Sequence, residues 1–228
     1  MIKYLLFDAD DTLFDFKKCE LSAFERTCNQ YGLDNSAIYA DYTEINNELW
    51  GKFNLNQIAK EILVIERFKR LFTLHKITAD PGVFNTDYLR NLGDESYLFD
   101  GAVDLCRDLY NSGKYEMYII TNGVESTQLA RFYGSLLSEF FKDIYISEKI
   151  GYQKPLKEYF EYVINQSGIT RDEAFIIGDS LSSDIKGGNN ADIITCWYNP
   201  EHKNYNPNEY KCDYIIHNLN ELRGILEI

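Results

Sequence analysis

Asp8 and Asp10 stand one alanine apart in Asp8-Ala9-Asp10-Asp11-Thr12-Leu13, directly after the apolar run Tyr4-Leu5-Leu6-Phe7. Two carboxylates so placed can divide a reaction between them. One stays ionised and attacks; the other carries a proton to the leaving group. Three further polar clusters complement the pair. Thr121-Asn122-Gly123 offers a hydroxyl and backbone N–H groups at a helix start, a seat for anionic oxygens. Lys154, in Gly151-Tyr152-Gln153-Lys154-Pro155, adds a cation on the loop before a helix that Pro155 can open. Gly178-Asp179-Ser180-Leu181-Ser182-Ser183-Asp184 adds two more carboxylates. Oxygen donors with no His or Cys beside them suit Mg²⁺ rather than zinc.

Taken singly, each cluster has an ordinary structural explanation, because Ser, Thr, Asn and Asp cap helices and a lone lysine is normally solvated. Jointly they are complementary parts of one phosphoryl-transfer site. That chemistry needs positioning and charge neutralisation more than covalent assistance. Four crowded carboxylates would repel one another, and a divalent cation with Lys154 turns the cluster into an anion site.

The elements that must position these residues are legible around them. Continuous apolar runs at 4–7, 117–120, 144–146, 175–177 and 193–197, with a weaker one at 214–216, read as strands covered on both faces. Helical periodicity fills 102–109, 129–141, 159–164 and 219–226, so strand and helix alternate as in a doubly wound parallel α/β sheet. The polar clusters fall at or just beyond the carboxyl ends of the strands, where open sheets bind ligands. Between the first two strands the pattern is helical only, clearest at Ile58, Ile62, Ile65, Phe68 and Phe72, with Glu61 to Arg67 and their charged neighbours as the solvated face. The expected organisation is a core of 1–14 plus 99–228 and an inserted helical domain of 15–98. Residues 199–208, rich in Asn and Pro, read as a surface loop.

Composition narrows the partners. Lys+Arg 23 against Asp+Glu 36 gives a net charge of −13, which disfavours nucleic-acid polymers and anionic membranes. A small phosphorylated metabolite is compatible if a metal ion reverses the local sign. The five cysteines are scattered without CxxC spacing, and the apolar opening is too short for a signal-peptide core. A reducing, cytoplasmic setting is expected. His75, His202 and His217 have no partner among the motifs.

The ordered set resembles the haloacid-dehalogenase-like phosphohydrolase superfamily. Its pattern of Asp-x-Asp-x-Thr, then Ser/Thr, then Lys, then Gly-Asp-x-x-x-x-Asp falls on Asp8, Asp10 and Thr12, then Thr121, Lys154, Asp179 and Asp184. The resemblance implies a Rossmann-like core with a helical cap and an aspartyl-phosphate mechanism. In it, Asp8 is the nucleophile and Asp10 the general acid and base. Mg²⁺, or alternatively Mn²⁺, would be held by Asp8, the Asp10 backbone carbonyl and Asp179. Asp184 would orient a metal-bound water or Lys154, while Thr121, the Asn122 amide and Lys154 would hold phosphoryl oxygens. Most members carry glycine where this chain has Asp11. The run through Phe14-Asp15-Phe16, together with Thr195-Cys196-Trp197-Tyr198-Asn199-Pro200, looks like the YjjG-type branch of pyrimidine 5′-nucleotidases. That implies a nucleotide as substrate, with Phe14, Phe16, Trp50 and Phe53 as candidates to touch base or sugar. Competing readings are a sugar-phosphate phosphatase or phosphomutase of the same fold, and a phospho-acceptor signalling module.

Overall fold

Apolar runs become strands here because helices cover them on both sides. The computed structural model describes residues 1–228. Its strands are β1 (Tyr4–Asp8), β2 (Glu116–Thr121), β3 (Asp143–Ile146), β4 (Ala174–Gly178), β5 (Ile194–Tyr198) and β6 (Tyr214–Ile216). They form a 6-stranded sheet in the order β3-β2-β1-β4-β5-β6, with every neighbouring pair parallel. The inserted helices are α1 (Phe16–Gln30), α2 (Asn35–Asn54), α3 (Lys60–His75) and α4 (Pro81–Gly93). Those around the sheet are α5 (Ala102–Asn111), α6 (Glu125–Gly134), α7 (Ser147–Ile150), α8 (Lys157–Ser167), α9 (Lys186–Ala191) and α10 (Leu222–Ile225).

Alternation along each strand builds two cores. Leu5 and Phe7 join Met117, Ile119, Phe175 and Ile177 against Leu105 and Leu109 of α5. Leu6 joins Ile120 and Ile176 against Tyr159, Phe160 and Val163 of α8. Removing each such side chain from water contributes roughly 1.5–3 kcal/mol, which favours an unbroken apolar run in a doubly covered strand. At the edge, β6 leaves Tyr214 and Ile215 exposed and buries Ile216, which is why its signal in the sequence is weak. The helix expected at 129–141 is instead α6, ending at Gly134, followed by a 3₁₀ turn at Ser138–Phe140. Ser135 turns extended and stops the helix.

The chain runs from β1 through β2 and β3 on one side, then crosses to β4, β5 and β6 on the other. The carboxyl ends therefore part between β1 and β4, the position where this topology opens a ligand crevice. Register aligns the ends: Asp8 lies beside Ile120, and Phe7 beside Ile177.

Two compact units result, Met1–Phe16 with Ser96–Ile228, and Lys17–Glu95. The junctions fall at 16/17 and 95/96 rather than at 14/15 and 98/99. The reason is local. Phe14 bridges to Asp10 and to Leu98, and the Asp15 N–H donates to the Tyr97 carbonyl at 3.0 Å, so both connecting segments stay with the sheet.

The inserted unit has an aromatic core. Tyr42 stacks on Phe24 at 4.4 Å and on Phe68 at 5.5 Å, with Tyr88 and Phe84 edge-on to Phe68. Asp34 and Asp80 accept from backbone N–H groups at the starts of α2 and α4, and Pro81 opens α4. Of the face expected for α3, Phe68 and Phe72 are buried, but Ile62 is 58% exposed and Leu63 and Leu71 are buried in its stead. Arg67 is buried too, not solvated: its guanidinium donates to Asn46 Oδ1 and Asn85 Oδ1 and lies over the Phe68 and Tyr88 rings. Burial of a guanidinium is tolerated where its fixed donors find acceptors and its faces find aromatic rings. Phe53 lies in a small core with Leu49 and Leu63.

All five cysteines are free thiols. No helix is long and apolar enough to cross a membrane.

Candidate active site

β1 ends on Asp8, whose carboxylate is buried at the head of the sheet. Beyond it the chain doubles back. The Leu13 and Phe14 N–H groups both donate to the Ala9 carbonyl, and Asp11 adopts φ +57°. That left-handed position is one glycine takes freely and aspartate tolerates better than most residues. Thr12, fully buried, donates to Asp8 Oδ2 at 3.4 Å and accepts from the Asp179 N–H at 3.1 Å. It stitches the loop after β1 to the loop after β4.

β4 ends on Gly178, and Asp179 follows, its carbonyl accepting from Trp197 Nε1 at 2.8 Å. A single π-helical turn, Leu181–Ile185, then carries Asp184 back toward the strand. Asp184 is fully buried, and its Oδ2 accepts from the Ser180 N–H at 3.1 Å.

Lys154 joins the two acidic loops. Its ammonium donates to Asp8 Oδ1 at 2.5 Å, to Asp184 Oδ1 at 2.6 Å and to the Ile120 carbonyl at 2.9 Å. Those contacts use all its N–H bonds, so a phosphoryl oxygen must replace one of them to reach it. Asn122 holds the lysine loop in place: its side chain donates to the Lys154 carbonyl and accepts from the Lys154 N–H, both at 2.9 Å. Thr121 Oγ1 is buried and accepts from the Gly123 N–H at 3.1 Å.

Charge in this cluster is unbalanced. Burial first, then Asp184 and Asp10 against the opposing pull of Lys154, pushes the Asp8 carboxyl up to about 8. Asp179 is raised well above the usual carboxylate range, by burial and then by Asp8 and Asp184. Burial alone would lower the Lys154 ammonium, but the attraction of Asp184 and Asp8 overcomes it and raises its pKa. Asp8, Asp179 and Asp184 present carboxylate oxygens within 4.8 Å of one another. An all-oxygen donor set with one cation short of neutrality fits a hard divalent ion.

Asp10 stands apart from that trio. Gln128 Nε2 donates to its Oδ2 at 2.5 Å, and Arg131 Nη1 donates to its Oδ1. Neither α6 residue was anticipated from the sequence. In the structure Thr127, Gln128 and Arg131 sit on the buried stripe of α6 beside Phe132, where apolar residues are the rule. Of the aromatic candidates, Phe14 and Phe53 are buried and unavailable to a substrate. Phe14 and Phe16 instead carry the Arg131 guanidinium, at 4.7 and 5.5 Å from their ring centres.

Comparison with known proteins places this geometry among relatives. The haloacid dehalogenase-like hydrolase family matches residues 5–198. YfnB of Bacillus subtilis, described as a HAD-hydrolase, is 40% identical over 226 residues, 98% of this chain and 95% of its own length. The crystal structure of YfnB bound to magnesium has a TM-score of 0.93 at 39% identity, covering 100% of this chain and 99% of that one. The pyrimidine 5′-nucleotidase PynA of Streptococcus pneumoniae is 35% identical over 227 residues, 99% of this chain and 95% of PynA. The pyrimidine 5′-nucleotidase YjjG of Escherichia coli is 30% identical over 225 residues, 98% of this chain and 97% of YjjG.

Proposed function

The chain belongs to the haloacid dehalogenase-like hydrolases, and within that family we propose that it is a Mg²⁺-dependent phosphomonoester hydrolase acting on pyrimidine nucleoside 5′-monophosphates. The observation that carries the reading is the meeting of Asp8, Asp179, Asp184 and Lys154 at the carboxyl ends of β1 and β4, with Asp10 held beside them by α6. The nucleotide preference is supported by the names of two relatives matched along nearly their whole length.

Asp8, Asp179 and the Asp10 backbone carbonyl would hold Mg²⁺, or in its place Mn²⁺, with Asp184 braced behind them by Lys154 and the Ser180 N–H. Bound there, the ion supplies positive charge to the carboxylates and to phosphoryl oxygens. The remaining chemistry belongs to the chain. A carboxylate oxygen of Asp8 attacks phosphorus as the ester P–O bond breaks, and Asp10 delivers a proton to the departing alkoxide. Asp10 then takes a proton from the water that attacks the aspartyl-phosphate, which returns Asp8 and releases phosphate. Lys154 remains against Asp8 throughout, so its charge lies where negative charge collects on the phosphoryl group. Thr121 and the Asn122 N–H complete the seat for the equatorial oxygens.

Phosphate release with Mg²⁺ from a panel of nucleoside monophosphates and sugar phosphates tests this reading. Preference for dUMP, dTMP or UMP supports it. Turnover of sugar phosphates with inactivity on every nucleotide overturns the substrate assignment, and movement of phosphate between sugar positions without release overturns hydrolysis.

A further inference from the structure

Asp10 is placed by a helix, whereas Lys154 meets Asp8 and Asp184. Both of its carboxylate oxygens are taken by α6 side chains, Oδ2 by Gln128 and Oδ1 by Arg131. These two residues are themselves fixed. Gln128 is 3% and Arg131 1% exposed, and the guanidinium lies over Phe14 and Phe16. Gly123 completes the device. A β-carbon there would stand 2.1 Å from Gln128 Nε2 and 2.6 Å from its Cγ, so only a bare backbone lets Gln128 reach Asp10.

Resting on the hydrolase reading above, we propose that Gln128 and Arg131 are positioning residues for the Asp10 carboxylate, aiming it at the ester oxygen and the attacking water. A buried arginine has a less demanding use as a simple packing partner of Phe14 and Phe16. Two features argue beyond that. Its charge meets the carboxylate of Asp10, not a neutral acceptor. A second, uncharged donor from the preceding turn of the same helix meets the other oxygen of the same carboxylate. Two donors on two oxygens fix both the direction and the roll of the group, which one contact cannot do. The arrangement also fits metal binding through the backbone carbonyl of Asp10, because its side chain is already engaged elsewhere.

The test uses kcat/KM, which reports the step that breaks the ester bond. It compares the best alkyl phosphate from the panel above with p-nitrophenyl phosphate, whose leaving group needs little protonation. Arg131→Met, Gln128→Leu and Gly123→Ala should each lower kcat/KM on the alkyl ester by about 10–100-fold, the range for residues that orient a reacting group. The loss on the aryl ester should be several-fold smaller. Arg131→Lys should recover part of the loss, and in an Asp10→Asn background Arg131→Met should cost little more. Gly123→Ala and Gln128→Leu keep Arg131 and its packing, so they answer the question even if Arg131→Met fails to fold. Equal losses on both esters, or full additivity with Asp10→Asn, overturn the proposal while leaving the hydrolase reading intact, provided Asp10→Asn alone shows the leaving-group difference. A wild-type protein that releases phosphate from neither ester overturns both.

Discussion

Gly178 and Asp184 are so close that a β-carbon on Gly178 would stand 2.3 Å from Asp184 Oδ2 and 2.7 Å from Asp184 Cβ. The glycine thus leaves the space through which a fully buried carboxylate returns to the end of its own strand.

Gly178→Ala should therefore push Asp184 away from Lys154. The obstruction includes Asp184 Cβ, not only the carboxylate tip, so the π-helical turn must shift with it. Overpacking of this kind costs about 1–3 kcal/mol, to be read as a lower urea midpoint. The same variant should bind Mg²⁺ more weakly, measured by calorimetric titration. Unchanged affinity with lowered stability would mean that Asp184 has no part in holding the ion.

Lys154→Met removes an ammonium that is 1% exposed and leaves Asp8 and Asp184 without their shared counter-ion. Breaking a buried pair by deleting one partner costs about 3–5 kcal/mol. Chemical denaturation near pH 7 checks this. A variant no less stable at neutral pH would show that the cluster does not depend on the lysine for charge balance.

What the sequence disclosed and what it hid divide along a physical line. Asp8, Thr121 and Asp179 were readable because each sits at the end of a continuous apolar run, and the parallel sheet places run ends together. Asp184 and Lys154 were readable because motif spacing carried them. The α6 residues were not, since Gln128 and Arg131 meet Asp10 across 118 and 121 positions of chain and nothing local announces that approach. Arg67 was hidden for a related reason. A charged residue on a helix reads as solvated until Asn46, Asn85 and two aromatic rings close around it. The phase of α3 was only partly readable because Ile62 continues an apolar periodicity at a position the fold leaves exposed.

Asp8→Asn should abolish phosphate release while leaving the fold intact, because an amide oxygen cannot form the acyl-phosphate. Asp10→Asn should retain a trace of activity, lower by about two to four powers of ten on an alkyl ester, the usual contribution of a positioned acid or base. Steady-state rates with circular dichroism on both variants separate loss of chemistry from loss of fold. Substantial turnover by the Asp8→Asn protein would remove the covalent route.

Stability without metal should run opposite to the usual acid profile. An ordinary paired carboxylate has a lowered pKa and stabilises as pH rises. Here the Asp8 carboxyl is pushed up to about 8 from 3.8, by burial and by Asp184 and Asp10 against Lys154, and Asp179 is raised for similar causes. Between about pH 4 and about pH 8 the folded, metal-free chain keeps protons that the unfolded chain has released. Its stability therefore falls as pH rises through that window. A divalent ion takes the place of those protons, so the stabilisation gained from Mg²⁺ should grow over the same range and flatten the profile. Thermal midpoints in chelator and in Mg²⁺, from about pH 5 to about pH 8, measure both slopes. A metal-free midpoint that climbs across this range, or a Mg²⁺ increment that shrinks as the solution becomes more alkaline, would contradict the assignment of excess negative charge to this cluster.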